Sequence, residues 1–216
     1  MSMCCQAHAT DITYRHSVKS DDHQQADKVG ISHKFGKKVS VSANVQFTPS
    51  DNGQGKAGPA FQDMQRDKVS LAGYYELFSN KAFKVAAGAG YTDGDRKYSW
   101  KPALKASWKI NEAWKLSTRY RHVITRYNDK PSKHTNILDI GAEYAIDKWS
   151  IGYKLSLYDS NVLLYDKRYR DYTHKVAIKY DLTPSWTPFF EVSDISVSKK
   201  TDQRQQKYAV GIKYSF

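Results

Sequence analysis

Almost the whole chain divides into segments in which large apolar or aromatic residues fill every second position, and that two-residue period leaves few folds open. The last nine residues, YAVGIKYSF, show it plainly. Tyr208, Val210, Ile212, Tyr214 and Phe216 alternate with Ala209, Gly211, Lys213 and Ser215. Successive side chains of a strand point to opposite faces, so such a segment is a strand with one greasy and one polar face. Five segments share a common form: GKKVSVSANVQF, NKAFKVAAGAGY, NEAWKLSTRYRH, DKWSIGYKLSLY and TPSWTPFFEVSD. Each opens on a tight-turn signal, then a lead residue, Val39, Phe83, Trp114, Trp149 or Trp186, then alternation. After the first, the leads recur every 30 to 45 residues or so, the length of an up-and-down hairpin. The return strands between them (KVGISHKF, KVSLAGYYELF, KYSWKPALKASWKI, TNILDIGAEYAI, DYTHKVAIKYDL) alternate as well. With TDITYRHSVK at the start and QRQQKYAVGIKYSF at the end, the pattern predicts about twelve strands of roughly 9 to 14 residues, the length a tilted membrane-spanning strand requires.

The connections alternate too. Short turns fall at Gly36-Lys37, Ser79-Asn80, Asn111-Glu112, Asp147-Lys148 and Pro184-Ser185, whereas the other side carries longer polar loops such as PSDNGQGKAGPAFQDMQ and SNVLLYDKRYR. Short turns on one rim and long loops on the other are the arrangement of outer-membrane barrels, with periplasmic turns and extracellular loops. No run approaches the 18 or so apolar residues of a membrane-spanning helix, and the greasiest stretch, Val85 to Tyr91, is diluted by Ala and Gly. A closed barrel is the other structure that can span a bilayer, because its strands satisfy every backbone N–H and C=O between them. Barrel size decides which face is inside. About eight strands leave an interior that side chains can fill, and wider barrels leave a lumen. With twelve, an apolar interior would be hollow, so the greasy face points outward to lipid. Its aromatics cluster beside the turns as an interfacial girdle, and Phe216 closes the last strand at the membrane boundary.

The 216 residues fit one domain, a barrel over residues 10–216. Residues 1–9, MSMCCQAHA, share no pattern with the rest and read as a processing remnant or an added leader. Ala7 to Ala9 has the A-x-A shape of a signal-peptidase site, without the charged and apolar regions of a signal peptide upstream. The only two cysteines, Cys4 and Cys5, are neighbours in that leader and offer neither a long-range cross-link nor a zinc-type spacing. Lys and Arg number 34 against 22 Asp and Glu, a formal charge of +12, and mean hydropathy is −0.71. An anionic partner follows, and nucleic acid, acidic lipid and acidic sugar all qualify on charge alone. A nucleic-acid surface would interleave aromatics with cations on one face; here the two are segregated by face.

With the apolar set outside, the lumen receives Arg15, Lys19, Lys28, Lys34, Lys68, Lys84, Lys97, Lys101, Lys105, Lys109, Lys115, Arg119, Arg121, Lys154, Lys175, Lys179, Lys207 and Lys213. Inward acids are fewer: Asp11, Glu76, Asp139, Glu143, Asp171 and Glu191. Arg119 and Arg121 in LSTRYRHVI stand one above the other, a ladder that could pass a carboxylate from fork to fork. Lys97, Lys101, Lys105 and Lys109 form a longer ladder on the preceding strand. His16, His122 and His174 fall on the outward face near the outer rim, where a lipid-cleaving barrel enzyme would need a serine and an acid beside them. No adjacent strand supplies an obvious outward serine with a supporting acid, so interfacial histidines are the simpler account, and neither a catalytic residue nor a metal site is assigned. YTDGD reads as a polar hairpin loop in preference to a Ca²⁺ site. VLLY, Val162 to Tyr165, is apolar for an outer loop, and folding inward as a constriction or resting on the lipid rim are both open.

ITYRHSV, ISHKFG, LSTRYRHVI and above all TDQRQQKYAVGIKYSF resemble the oligogalacturonate-specific porin family (KdgM type), to which the sialic-acid-inducible porins also belong. The resemblance runs from about Thr10 to Phe216. It implies a monomeric twelve-stranded channel of the bacterial outer membrane that passively admits acidic oligosaccharides along basic tracks, without cofactor or turnover. By matching motif it implies pore-lining roles for Arg15 in YRH, Arg119 and Arg121 in RYR, and Arg204 in DQRQ. Elsewhere the chain carries lysine where arginine is the family's habit, which leaves the acidic sugar open. The alternatives are a general small anion-selective porin and an outer-membrane barrel enzyme acting on lipid.

Overall fold

In the computed structural model, which describes residues 10–50 and 61–216, each alternating segment is a strand. The strands are β1 (Thr10–Lys19), β2 (Gln25–Phe35), β3 (Val39–Pro49), β4 (Met64–Ser79), β5 (Phe83–Gly94), β6 (Lys97–Lys109), β7 (Trp114–Tyr127), β8 (Lys133–Ile146), β9 (Trp149–Ser160), β10 (Arg170–Tyr180), β11 (Trp186–Ser196) and β12 (Arg204–Ser215). Each pairs antiparallel with its sequence neighbours, and β1 pairs with β12 through nine residues from Asp11↔Ser215 to Lys19↔Lys207. The barrel is closed, so every strand has a paired neighbour on both sides. The leader, residues 1–9, and most of the β3–β4 loop lie outside the described residues.

The short turns are built by side chains that accept backbone N–H groups. In SNKAF the Asn80 Oδ1 accepts the N–H of Ala82 at 2.9 Å and of Phe83 at 2.6 Å. INEAW repeats the device with Asn111, Ala113 and Trp114 at 2.9 and 2.7 Å. Asparagine oxygens that close a turn this way explain why the lead aromatic follows three residues later. The β2–β3 turn places Gly36 at φ 56°, a left-handed conformation that glycine adopts without strain. On the other rim the β5–β6 connection is only Asp95-Arg96, tighter than its side of the barrel suggested.

The lead residues share one rim, and three of the tryptophans pair with a tyrosine directly opposite on the neighbouring strand. Trp114 and Tyr144 have ring centroids 4.9 Å apart, Trp149 and Tyr180 4.6 Å, and Trp186 and Tyr214 4.6 Å. Phe216 stands edge-on to Tyr214 at 4.7 Å, and its N–H donates to Thr10 O at 3.0 Å, so the chain end is sealed to its start. Above this girdle the outward set is aliphatic and exposed, with Ile31, Leu71, Leu104, Ile140, Ile151 and Val210 among its members. The few buried apolar residues are Ala103, Ile137, Ala177 and Ala209. With so little buried core among the described residues, the fold is stabilised chiefly by its closed ladder of hydrogen bonds.

Candidate functional site

Two ion pairs identify the inner face independently of hydropathy, because each skips a strand and only the concave side brings such residues together. Arg15 on β1 reaches Glu191 on β11 at 2.5 Å, past β12. Lys179 on β10 reaches Glu143 on β8 at 2.9 Å, past β9. Of the sequence-predicted residues, Arg15, Lys34, Lys68, Lys84, Lys97, Lys101, Lys105, Lys109, Arg119, Arg121, Lys154, Lys175, Lys179 and Lys213 share this inward alternation. Several of them, with Glu143 and Glu191, line a lumenal cavity of about 570 Å³.

Three of the inner acids each clamp two cations. Asp139, 5% exposed, accepts from Arg119 Nε at 2.8 Å and Nη2 at 2.7 Å and from Arg121 Nη2 at 2.9 Å, all on Oδ2. Its Oδ1 accepts the Ser156 hydroxyl at 2.6 Å. Glu191 takes Arg15 and Lys175, the latter at 2.7 Å, and Glu143 takes Lys179 and Lys115, the latter at 3.5 Å. The arginine pair of β7 is therefore half neutralised, and part of each fork is occupied. The wall from β2 to β6 is different. Among the described residues, only Lys68 of its inward lysines has an ion-pair partner, Asp67 at 3.1 Å. Lys101 Nζ donates to Thr92 Oγ1 at 2.6 Å, and Lys105 Nζ lies 5.4 Å from the Tyr74 ring centroid. The two predicted ladders do meet, since Lys105 stands opposite Arg119.

Arg204 lies in the other phase of its strand. It belongs to the same alternation as Tyr208, Val210 and Ile212, the outward set of β12. The β10–β11 ladder ends at His174↔Asp194, and the Arg204 guanidinium occupies the gap beyond. There it donates to Asp194 Oδ2 at 2.6 Å, to Tyr172 O at 2.9 Å and to Asp194 O at 3.1 Å, with its carbon 4.0 Å from the Tyr172 centroid. It supplies donors that the ended ladder no longer provides, and its Nη1 reaches Asp171, an acid of the inward alternation of β10, at 3.4 Å past β11, so the side chain spans the gap in the wall. VLLY also finds its place here: Tyr165 packs against Tyr172 at 6.2 Å and against Arg204 at 5.2 Å, on the outer side of the wall.

Two lumenal aromatics escaped the sequence reading. Tyr74 lies flat against Gly88, where an added Cβ would sit 2.5 Å from the ring and 2.2 Å from Gly73 O. Phe189 covers Gly211 in the same way, 2.3 Å from a would-be Cβ. The signal was an off-phase aromatic, in YY and FF, opposite a glycine on the next strand. The outward histidines make hydrogen bonds within the outer rim. His16 meets Asp27 at 3.0 Å, His122 meets Asn136 at 2.8 Å and His134 at 3.4 Å, and His174 meets the Tyr153 hydroxyl at 2.7 Å.

The fold and sequence comparisons agree. The family model described as oligogalacturonate-specific porin protein (KdgM) matches residues 3–216. The oligogalacturonate-specific porin KdgM of Dickeya dadantii (strain 3937) is 29% identical over 221 residues, covering 96% of this chain and 92% of that protein. The uncharacterized protein YiiY of Salmonella typhimurium (strain LT2) is likewise 29% identical, over 225 residues, 97% of this chain and 92% of its own. Among solved structures, the KdgM porin superposes with TM-score 0.73 at 22% identity over 95% of this chain and 99% of that one, and the NanC porin with 0.80 at 15% over 95% and 100%. A second KdgM structure, in complex with disordered oligogalacturonate, gives 0.73 at 23%, over 95% and 99%. With its closed twelve-stranded barrel and a family match over nearly its entire length, the chain belongs to the oligogalacturonate-specific porin family and is a porin of the bacterial outer membrane.

Proposed function

We propose that this porin passively admits acidic oligosaccharides, oligogalacturonate or related uronates, through a lumen whose lysine-rich wall guides them, and that it works as a monomer without cofactor. The observation that carries the reading is the one-sided charge of the inner wall. Lys84, Lys97, Lys101, Lys105 and Lys109 on β5 and β6 make no ion pair among the described residues, with Glu76 of β4 as the acid that lines the lumen beside Lys84 and Lys105, while Asp139, Glu143 and Glu191, each holding two cations, sit on the arc from β8 to β11. A cation about 8 Å from a permeating carboxylate, at an effective dielectric near 40, contributes on the order of 1 kcal/mol. Several in line outweigh screening in a channel about one Debye length wide. A flexible polyuronate touches successive lysines, so its residence grows with chain length through effective concentration until the chain outruns the track. The relative whose structure contains oligogalacturonate shares this fold.

Single-channel recordings test this. Uronate oligomers should give blockades that lengthen from dimer to trimer and longer and shorten in high salt, whereas neutral maltose-type oligomers of equal size give none. Blockades equally long for neutral and acidic sugars, or indifferent to salt, would leave a general small anion-selective porin in its place.

A further inference from the structure

Two successive outward rows run in register across β7, β8, β9 and β10. In the lower row Tyr120 stands opposite Leu138, Leu138 opposite Leu157 and Leu157 opposite Tyr172. In the row directly above, His122 faces Asn136, Asn136 faces Asp159 and Asp159 faces Arg170. The surface changes from apolar to polar within one step, so the outer boundary of the hydrocarbon falls between the two rows.

The β9–β10 loop leans over this boundary. Leu164 to Arg168 form a tight hairpin, with Leu164 N–H donating to Arg168 O at 2.8 Å and Arg168 N–H to Tyr165 O at 2.7 Å. Asp166 and Lys167 take φ 45° and 56° at its tip, the conformation of the tightest hairpin turns. The loop is tied to its β11–β12 neighbour by Asp166 N–H to Thr201 O at 3.1 Å and Lys167 N–H to Lys199 O at 2.9 Å. Tyr165, held against Tyr172 and Arg204, turns it down onto the wall. A groove of about 510 Å³ results, floored by Tyr120, Leu138 and Leu157, with Tyr165 at its side and Arg168 and Arg170 at its lip.

We infer that this groove is a lipid-binding site, which takes an acyl chain of a phosphorylated outer-leaflet lipid and holds the lipid's phosphate on Arg168 and Arg170. The floor is apolar and lies on the bilayer side of the wall, below the rim, where a hydrated polysaccharide does not reach. The lip carries two guanidiniums at headgroup level, with Lys167 beside them. Each arginine spends only one long contact on an acid, Arg168 Nε to Asp166 at 3.4 Å and Arg170 Nε to Asp159 at 3.3 Å, and each side chain is largely exposed. Such pairs are weak, and most of each fork stays open to a phosphate, which it matches in geometry as well as charge. Chain and phosphate together define the ligand: a neutral lipid lacks the second, and a free phosphate lacks the first.

The test uses the full chain in detergent, with lipid retention read by native mass spectrometry. The probes are a bis-phosphorylated acylated glucosamine disaccharide, its dephosphorylated counterpart and inorganic phosphate. The phosphorylated lipid should bind at least tenfold more tightly than the dephosphorylated one, and inorganic phosphate at millimolar concentration should not displace it. Arg168→Gln with Arg170→Gln should weaken retention about tenfold, and Leu157→Trp, or Leu138→Phe if that variant fails to fold, should weaken it by filling the floor. Single-channel conductance should be unchanged in each, since none of these residues faces the lumen. Equal binding of the two lipids, retention insensitive to both kinds of variant, or full displacement by inorganic phosphate would overturn the inference.

Discussion

Asp139→Asn should make the channel more anion-selective, although it changes a residue that touches no solute directly. The carboxylate is nearly buried beneath Arg119 and Arg121, whose own side chains are 32% and 22% exposed, so the cluster presents the lumen with one net positive charge from two guanidiniums. Removing the carboxylate charge raises that to two. At about 8 Å from the permeating anion and an effective dielectric near 40, the change is worth about 1 kcal/mol, or about fivefold in the anion-to-cation permeability ratio. The variant is also built to fold. Asparagine Oδ1 still accepts from the arginines, and its Nδ2 can donate to Ser156 Oγ, which now donates to Oδ1 of Asp139 at 2.6 Å. Arg119→Gln should move the ratio about fivefold the other way, and the double variant should return close to the parent. The assay is the reversal potential in planar bilayers across a potassium chloride gradient, with far-UV circular dichroism as the folding control. If Asp139→Asn leaves the ratio unchanged or lowers it while the fold is intact, the Asp139 cluster does not border the permeation path.

Ile178→Lys places a charge on the lipid face of β10 and should hinder assembly at a cost of about 2 to 4 kcal/mol, while Ala177→Lys, one residue away on the inner face, should be tolerated; refolding yield in lipid vesicles decides, and the reverse order would invert the facing. Gly88→Ala should lower refolding yield, because the new Cβ would meet Gly73 O, a backbone atom of the paired strand, at 2.2 Å as well as the Tyr74 ring at 2.5 Å, and lifting the ring relieves only the second; a yield equal to the parent's would mean that the β4–β5 pair admits the methyl. Replacing Arg119 and Arg121 together with Glu should lower anion preference by an order of magnitude or more, read from the same reversal potential.

How far the sequence reaches can be seen from particular residues. Because side chains alternate with a period of two, the phase of one greasy residue assigns its whole strand, and Val176, Ile178 and Tyr180 placed Lys175 and Lys179 opposite them without any structure. Strand number followed from the turn signals, and the lumen from strand number. Asn80 and Asn111 announced the turns they close. Arg204 shows where phase alone stops short: counting back from Phe216 in steps of two puts it in the outward alternation, yet its guanidinium lies in the gap where β10 and β11 stop pairing and reaches Asp171 of the inward set.

What tertiary structure alone decided is the partnership of the charges. Arg15 and Glu191 are 176 residues apart by number and two strands apart in the wall, and they meet because the sheet curves and closes through β1 and β12. Whether Asp139 lies beneath Arg119 depends on the β7–β8 register, Arg119↔Asp139, and a shift of two residues would preserve every facing and abolish the clamp. The folding of VLLY against the outer wall likewise depends on where β10 and β11 stop pairing, which leaves the gap that Arg204 fills. Facing is a property of one strand's own pleat and can be counted along the chain, whereas the distance between two charges depends on register and curvature, which are set by all twelve strands closing together.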